Sequence, residues 1–274
     1  MRSYHLSSHG RLFSRLCALP ERPLFNVCVS SYRGSDMACV LIVKTGDAFP
    51  EVVDQHGDFE RLFIKQLNIA LPAHLELQVW DATRQPSAPE LNTLAGIVIT
   101  GSHSMVSEAE PWSEALKPWL KEVLANDIPM LGVCYGHQLM AAAFGGMSDY
   151  HPAGRESGTR TVRLTQAGQQ DPLFSQLPES FAAHLTHAQS VMQAPQGCTV
   201  LAHNSHDAHQ ALRYGPRQWS VQFHPEFTAP VMRAYLERQR AALRDQGEEP
   251  DTLLANITDC QEASSLLRLF LAFV

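Results

Sequence analysis

Four short apolar, β-branched runs separated by segments of helical period constrain this chain more than any other feature. "CVLIV" from Cys39, "LELQVW" from Leu75, "GIVIT" from Gly96 and "IPMLGV" from Ile128 read as buried strands. Between them, "DFERLFIKQLNIA" spaces Phe59, Leu62, Phe63, Gln66 and Leu67 near the helical period, and "PWSEALKPWLKEVLAND" is amphipathic, with Pro118 predicting a kink. Strands alternating with helices imply a parallel sheet covered on both faces, with ligands beyond the carboxyl ends of its strands. "GIVIT" and "IPMLGV" end at Gly101 and Cys134, so their following loops should meet there. From about Met147 to Arg213, short runs broken by Pro, Gly, Asn and Gln ("RTVRLT", "SFAAHLTH", "TVLAH", "HQALRY") predict antiparallel strands. "QWSVQF" predicts one more strand, ending at His224, and two helices close the chain. Leu266, Leu267, Phe270, Leu271 and Val274 give the last helix an apolar face that should dock. The expected fold class is α/β: a mostly parallel central sheet flanked by helices on both faces, with a small antiparallel extension. There is no internal repeat or dividing linker, so residues 37–274 are expected to form a single domain.

The first 36 residues differ from the rest. They hold five arginines and many serines but only Glu21 and Asp36 as acids. That composition can mark an organellar transit peptide. The expectation favoured here is an early-called start, with Met37 the true one, because "MACVLIVKTGD" enters a strand at once. The whole chain is 45% hydrophobic and 18% charged, an ordinary globular balance. A net charge of -7 without a Lys/Arg stripe argues against a nucleic-acid partner. No apolar run approaches a membrane span. Cys17, Cys28, Cys39, Cys134, Cys198 and Cys260 are scattered without a C-x-x-C pair, against structural zinc or a redox motif. Free thiols in a reducing cytoplasm are expected.

Among these cysteines, Cys134 stands apart. Most free cysteines are small buried hydrophobes. Here, however, Gly132 and Gly136 flank Cys134 in G-x-C-x-G, after a strand and before a helix, the geometry of a nucleophile elbow. Residues without Cβ let strand and helix approach, and the helix amides that follow favour a thiolate. The Tyr135 N–H would face an oxyanion formed at the attacked carbonyl. A thiolate nucleophile needs a base and the base needs an orienting acceptor, and "VQFHPEF" supplies His224 and Glu226, stiffened by Pro225. One of thirteen histidines is weak evidence alone; a His-Pro-Glu after a strand, together with a cysteine elbow, is strong.

"GVCYGHQLMAAAFGG" with a downstream "QFHPEF" resembles the class I, or triad-type, glutamine amidotransferases, most of all the GMP synthase-type glutaminase branch and its stand-alone relatives. The resemblance runs from about Cys39 to about Tyr235. It implies a flavodoxin-like central mixed sheet flanked by helices, and hydrolysis of the side-chain amide of L-glutamine with ammonia passed to a synthetic partner. It further implies Cys134 as nucleophile, His224 as base and later acid, and Glu226 as its orienter. Gln138 matches the family glutamine that contacts substrate, and Tyr135 with Gly101 or Ser102 would form the oxyanion hole. Thr186 and His187 match the segment whose backbone holds the amino-acid end of the substrate. Two departures stand out: the family's Gly-Gly is Gly101-Ser102 here, and its Gly-Asp after the histidine is Ala188-Gln189. A positive φ at residue 102 would strain serine.

No P-loop and no S-G-G-x-D loop occurs in this sequence, so a separate ATP-dependent synthetase subunit is expected to receive the ammonia. The competing readings are a stand-alone γ-glutamyl amide or peptide hydrolase using the same triad, and a non-catalytic binding module. No metal or organic cofactor is implied. His203, His206 and His209 lie in a turn-rich segment without a Cys or Glu companion and do not read as a metal site. Trp112 and Trp119 read as packing on the sheet, and Glu156 and Gly158 as scaffold.

Overall fold

The computed structural model describes residues 38–85 and 87–274. The expected extension over residues 1–36, and the choice of Met37 as start, lie outside the described residues. The first half alternates as the sequence pattern requires: β1 (Ala38–Lys44), α1 (Pro50–His56), α2 (Phe59–Leu67), β2 (Leu75–Asp81), β3 (Leu94–Ile99), α3 (Pro111–Ala125), β4 (Met130–Val133) and α4 (Tyr135–Ala143). β5 (Met147–Tyr150), β6 (Glu156–Leu164), α5 (Gln166–Gln170), β7 (Ser180–His187), β8 (Gln189–Gln193), β9 (Thr199–His203) and β10 (Ala211–Arg213) follow. β11 (Gln218–Val221), α6 (Ala229–Arg238), α7 (Arg240–Asp245), α8 (Pro250–Ala255) and α9 (Gln261–Phe270) complete the chain.

One nine-stranded sheet runs β2-β1-β3-β4-β11-β10-β9-β6-β7. Its first five strands pair in parallel and the remainder antiparallel, so a parallel core carries an antiparallel extension. β5 and β8 form a separate antiparallel pair. The two-residue alternation of β1 divides the core. Val40 and Ile42 pack with Phe63 of α2 and with Leu266, Leu267 and Phe270 of α9. Leu41 and Val43 face Leu116, Leu120 and Val123 of α3 and Leu139 of α4 on the opposite side. Both sheet faces are thus covered, as parallel pairing demands. α9 docks by the residues the sequence singled out: Leu266, Leu267 and Phe270 are fully buried.

Three expectations on element limits change. β11 stops at Val221, so His224 lies on the turn beyond the strand rather than at its last residue. The segment expected as one helix after His224 is two, α6 and α7, divided at Gln239 with φ -96° and ψ 6°. α8 lies between the two closing helices. α3 continues across Pro118 as one helix. Trp119 is buried against Trp80, ring centroids 5.6 Å apart, and its Nε1 donates to the Pro89 carbonyl at 3.2 Å. Trp112 lies on the Tyr135 ring. Among the described residues no helix is long and apolar enough to cross a membrane.

Candidate active site

The carboxyl ends of β3, β4 and β11 are neighbours, and this adjacency creates the site. Val133 is in register with Val221, and the Cys134 N–H donates to the Val221 carbonyl at 2.8 Å. Cys134 therefore begins one residue, and His224 three residues, beyond paired positions on adjacent strands. Cys134 adopts φ 53° and ψ -101°, a conformation L-residues avoid, and α4 starts at the next residue. The flanking glycines serve the close approach expected of an elbow. A Cβ on Gly132 would lie 2.5 Å from Met140 Sδ and 2.7 Å from the Gly136 carbonyl oxygen. One on Gly136 would lie 2.8 Å from the Ile99 carbonyl oxygen. Strand and helix could not meet at this angle with side chains at either position.

His224 is 2% exposed and held on three sides. Its Nδ1 donates to Glu226 Oε1 at 2.7 Å, its ring face stacks on Phe227 with centroids 4.1 Å apart, and its N–H donates to the His184 carbonyl at 2.9 Å. Gly101 lies at the remaining edge: a Cβ there would sit 3.1 Å from His224 Cε1 and 3.6 Å from Cys134 Cβ. A side chain at residue 101 would therefore crowd both the imidazole and the Cys134 side chain. Burial pulls the His224 pKa down, but the Glu226 carboxylate and the Cys134 sulfur outweigh it and raise the pKa from 6.5 to about 10. Nε2 is buried without a well-aligned hydrogen bond, so the sulfur acts on it chiefly through its field. Such loose geometry is common before a ligand binds.

Of the residues expected to form an oxyanion hole, Ser102 lines the cavity beside Cys134 and His224, and Gly101 and Tyr135 are not among its lining residues. Gly101 follows β3, whose end is tied down by Thr45 Oγ1, 3.0 Å from both the Thr100 and Gly101 carbonyl oxygens. Ser102 is not among the non-glycine residues with positive φ, so serine is unstrained there; its Oγ accepts from the Ser104 N–H at 3.0 Å. Tyr135 opens α4, with its side chain buried and donating to Ser113 Oγ at 2.6 Å.

Gln138, Thr186 and His187 line one cavity with Cys134 and His224. Their side chains are largely committed. Gln138 Nε2 donates to the Gln189 carbonyl at 2.6 Å and to Gln222 Oε1 at 2.9 Å, leaving its Oε1 for a ligand. Thr186 Oγ1 pairs with the Gln239 amide at 3.2 Å. The His187 imidazole is turned away, with Nε2 3.0 Å from Glu156 Oε2 and Nδ1 2.8 Å from the Gln189 carbonyl, so any ligand contact falls to its backbone. Gln189, in the place of the family aspartate, donates through Nε2 to Ser107 Oγ and accepts from the Ser107 N–H, stapling this loop to the one after β3.

Sequence reasoning missed the cavity's other walls. Phe49, Phe59, His103 and Tyr235 form an aromatic wall, with His103 stacked on Phe49 at 4.0 Å. Among the described residues, Arg155 is the one Lys or Arg that lines the cavity. Its signal lay beside Glu156 in "GRESGT", a stretch read as scaffold. Among the described residues no group of His, Cys, Asp and Glu side chains could hold a metal ion.

A family model described as glutamine amidotransferase class-I matches residues 51–241. The chain belongs to that family. Among curated glutamine amidotransferase relatives, GMP synthase [glutamine-hydrolyzing] of Thermosipho africanus is 30% identical over 179 residues, covering 65% of this chain and 32% of the relative. The chain thus spans about a third of that protein's length. One subunit of the GMP synthase [glutamine-hydrolyzing] of Methanopyrus kandleri is 31% identical over 177 residues, covering 64% of this chain and 87% of its own length. The gamma-glutamyl-L-1-hydroxyisopropylamide hydrolase of a Pseudomonas species is 30% identical over 163 residues, covering 57% of this chain and 55% of that enzyme. A glutamine amidotransferase structure from Thermotoga maritima superposes with a TM-score of 0.65 at 20% identity, covering 86% of this chain and 96% of its own. That likeness establishes the α/β amidotransferase fold.

Proposed function

We propose that this chain hydrolyses the side-chain amide of L-glutamine through Cys134, His224 and Glu226, releasing ammonia to a separate synthetase subunit. The observation that supports it best is a strained elbow cysteine beside an imidazole fixed by a carboxylate, a ring and a backbone carbonyl. The thiolate attacks the amide carbonyl carbon, and the oxyanion is held by the N–H groups of Tyr135 and of the Gly101–Ser102 loop. His224 gives its proton to the departing nitrogen as the C–N bond breaks, leaving a γ-glutamyl thioester and ammonia. His224 then takes a proton from water, whose oxygen attacks the thioester; the C–S bond breaks and glutamate leaves. Glu226 holds the imidazole in one tautomer throughout. Gln138 Oε1 and the backbone of residues 186–187 would hold the amino-acid end. The Methanopyrus relative, itself one subunit of a GMP synthase, favours a detached synthetase partner. The four cysteines described as free suit a reducing cytoplasm.

A second reading, a stand-alone hydrolase of γ-glutamyl amides or peptides with the same triad, is favoured by the similarity to the γ-glutamyl amide hydrolase. Purified protein assayed on L-glutamine and on a panel of γ-glutamyl amides and peptides separates the two. Cys134→Ala should abolish turnover in either case; retained turnover refutes both.

A further inference from the structure

Arg155 opens a question that the triad leaves unanswered. It lies between β5 and β6, half-buried, and lines the cavity that holds Cys134 and His224. Its backbone N–H donates to Gln246 Oε1 at 3.0 Å. Its guanidinium makes no ion pair and no hydrogen bond among the described residues, whereas Arg84, Arg160, Arg213, Arg217 and Arg240 each pair with a carboxylate. Arg155 also borders a second cavity with Glu156 and Glu248, and both acids are taken. Glu156 accepts from His187 Nε2 at 3.0 Å, Asn204 Nδ2 at 2.6 Å and Gln210 Nε2 at 2.9 Å. Glu248 pairs with Arg160 at 3.4 Å. Among the described residues no Asp or Glu lines the cavity that holds Cys134. Burial lowers the Arg155 pKa, and the groups that raise it are Cys134 and Tyr150, with no carboxylate among them.

A partly desolvated cation with five donors and no internal anion is a cost unless a ligand supplies one. Arginine offers the planar fork that fits a carboxylate. With a γ-glutamyl amide at Cys134, the anion left on the substrate is a carboxylate. We propose that Arg155 is a specificity-determining anion receptor that pairs with a substrate carboxylate and so selects which amides reach Cys134. The identity of that substrate rests on the proposed function; the unpaired cation does not. The carboxylate has two sources: the α-carboxylate of the γ-glutamyl group, or that of an amino acid on the leaving side.

Two measurements on the full chain test this. Alkylation of Cys134 by iodoacetate, which carries a carboxylate, is compared with alkylation by neutral iodoacetamide, a readout that needs no glutaminase activity. Arg155→Met should lower the iodoacetate-to-iodoacetamide rate ratio by about tenfold or more, and Arg155→Lys should retain part of it. Arg155→Gln, which keeps donors without charge, should behave as the Met variant and replaces it if that variant misfolds. An unchanged ratio in the charge-removing variants overturns the proposal and leaves Arg155 a solvated surface arginine. The second arm uses L-glutamine, L-glutaminamide, γ-L-glutamylglycine and γ-L-glutamylethylamide. A loss of about ten- to a hundredfold in kcat/KM for glutamine and the ethylamide, but not for glutaminamide, identifies the α-carboxylate. A loss confined to γ-glutamylglycine identifies the leaving side, and no loss on any substrate overturns the proposal. Wild-type protein that turns over none of the four sinks the hydrolase reading alone, since the alkylation ratio still decides Arg155.

Discussion

Gly101→Ala should separate activity from stability. The new methyl group would stand 3.1 Å from His224 Cε1, and ordinary contact begins at 3.4 Å, so the ring has to move by a few tenths of an ångström. The ring has little freedom to do so: Nδ1 is bonded to Glu226 at 2.7 Å and its face lies on Phe227 at 4.1 Å. Catalytic geometry loses about a hundredfold per ångström of misplacement, so a roughly three- to tenfold fall in turnover follows. The backbone at 101 is not among the positive-φ glycines, so alanine fits its conformation. Overpacking costs about 1 kcal/mol, offset by about 0.4–1 kcal/mol from a stiffer unfolded chain, so stability should change little. Glutamine turnover, the iodoacetamide alkylation rate of Cys134 and a urea melt measure the two effects side by side. Wild-type turnover and alkylation in a folded Gly101→Ala protein would refute the claim that a side chain at residue 101 displaces the His224 ring.

Cys134→Gly should be more stable than Cys134→Ala by about 1 kcal/mol in urea melts, because only glycine relieves φ 53° and ψ -101°; equal stability would mean the elbow is unstrained. Lys44→Met should cost about 2–4 kcal/mol by the same assay. It strands Glu60, 3.0 Å from Nζ, and Asp58, which caps α2 and accepts from the N–H of the wall residue Phe59, whereas half-exposed Asp47 keeps Arg84. Stability should fall on either side of about pH 6.5. Burial lowers the pKa of His137 to about 3 and of His184 to about 4, so both stay neutral in the fold but charge on unfolding. Each therefore withdraws roughly 2 kcal/mol by pH 5. The raised pKa of His224 acts in the opposite sense, stabilising fully below pH 6.5 and fading as pH rises through about 10. Glu226→Gln should flatten that alkaline limb in thermal melts, and an unaltered limb would show that the carboxylate does not hold the proton.

The elbow was legible because its chemistry leaves a steric trace: Gly132 and Gly136 are glycine for reasons of approach that the G-x-C-x-G spacing already carries. The parallel core was legible because β1 alternates between two buried faces, which yields an unbroken apolar run. Lengths were less so. β11 ends at Val221 although "QF" continues its buried run: the Gln222 N–H still donates to the Gln210 carbonyl at 2.9 Å, but the β10–β11 register stops at Ala211 and Val221. α1, with Pro50 in its first turn, and α8 are too short to show a period. His187 matched a substrate-binding motif, yet its ring is spent on Glu156, a partner 31 residues earlier that only β6–β7 pairing brings opposite. Arg155 was illegible for a different reason: its meaning lies in the partners it lacks, which sequence does not encode.

The triad reading stands or falls on whether Cys134 attacks a γ-glutamyl carbonyl and carries the acyl group. Rapid acid quench of the full-length protein during turnover of L-glutamine, or of a reactive γ-glutamyl amide, followed by peptide mass spectrometry, decides the point. The expected result is a glutamyl adduct on the Cys134 peptide, accumulating in His224→Asn if the first step is still allowed and absent in Cys134→Ala. Glutamate formation with no adduct on Cys134, and undiminished in Cys134→Ala, would contradict it.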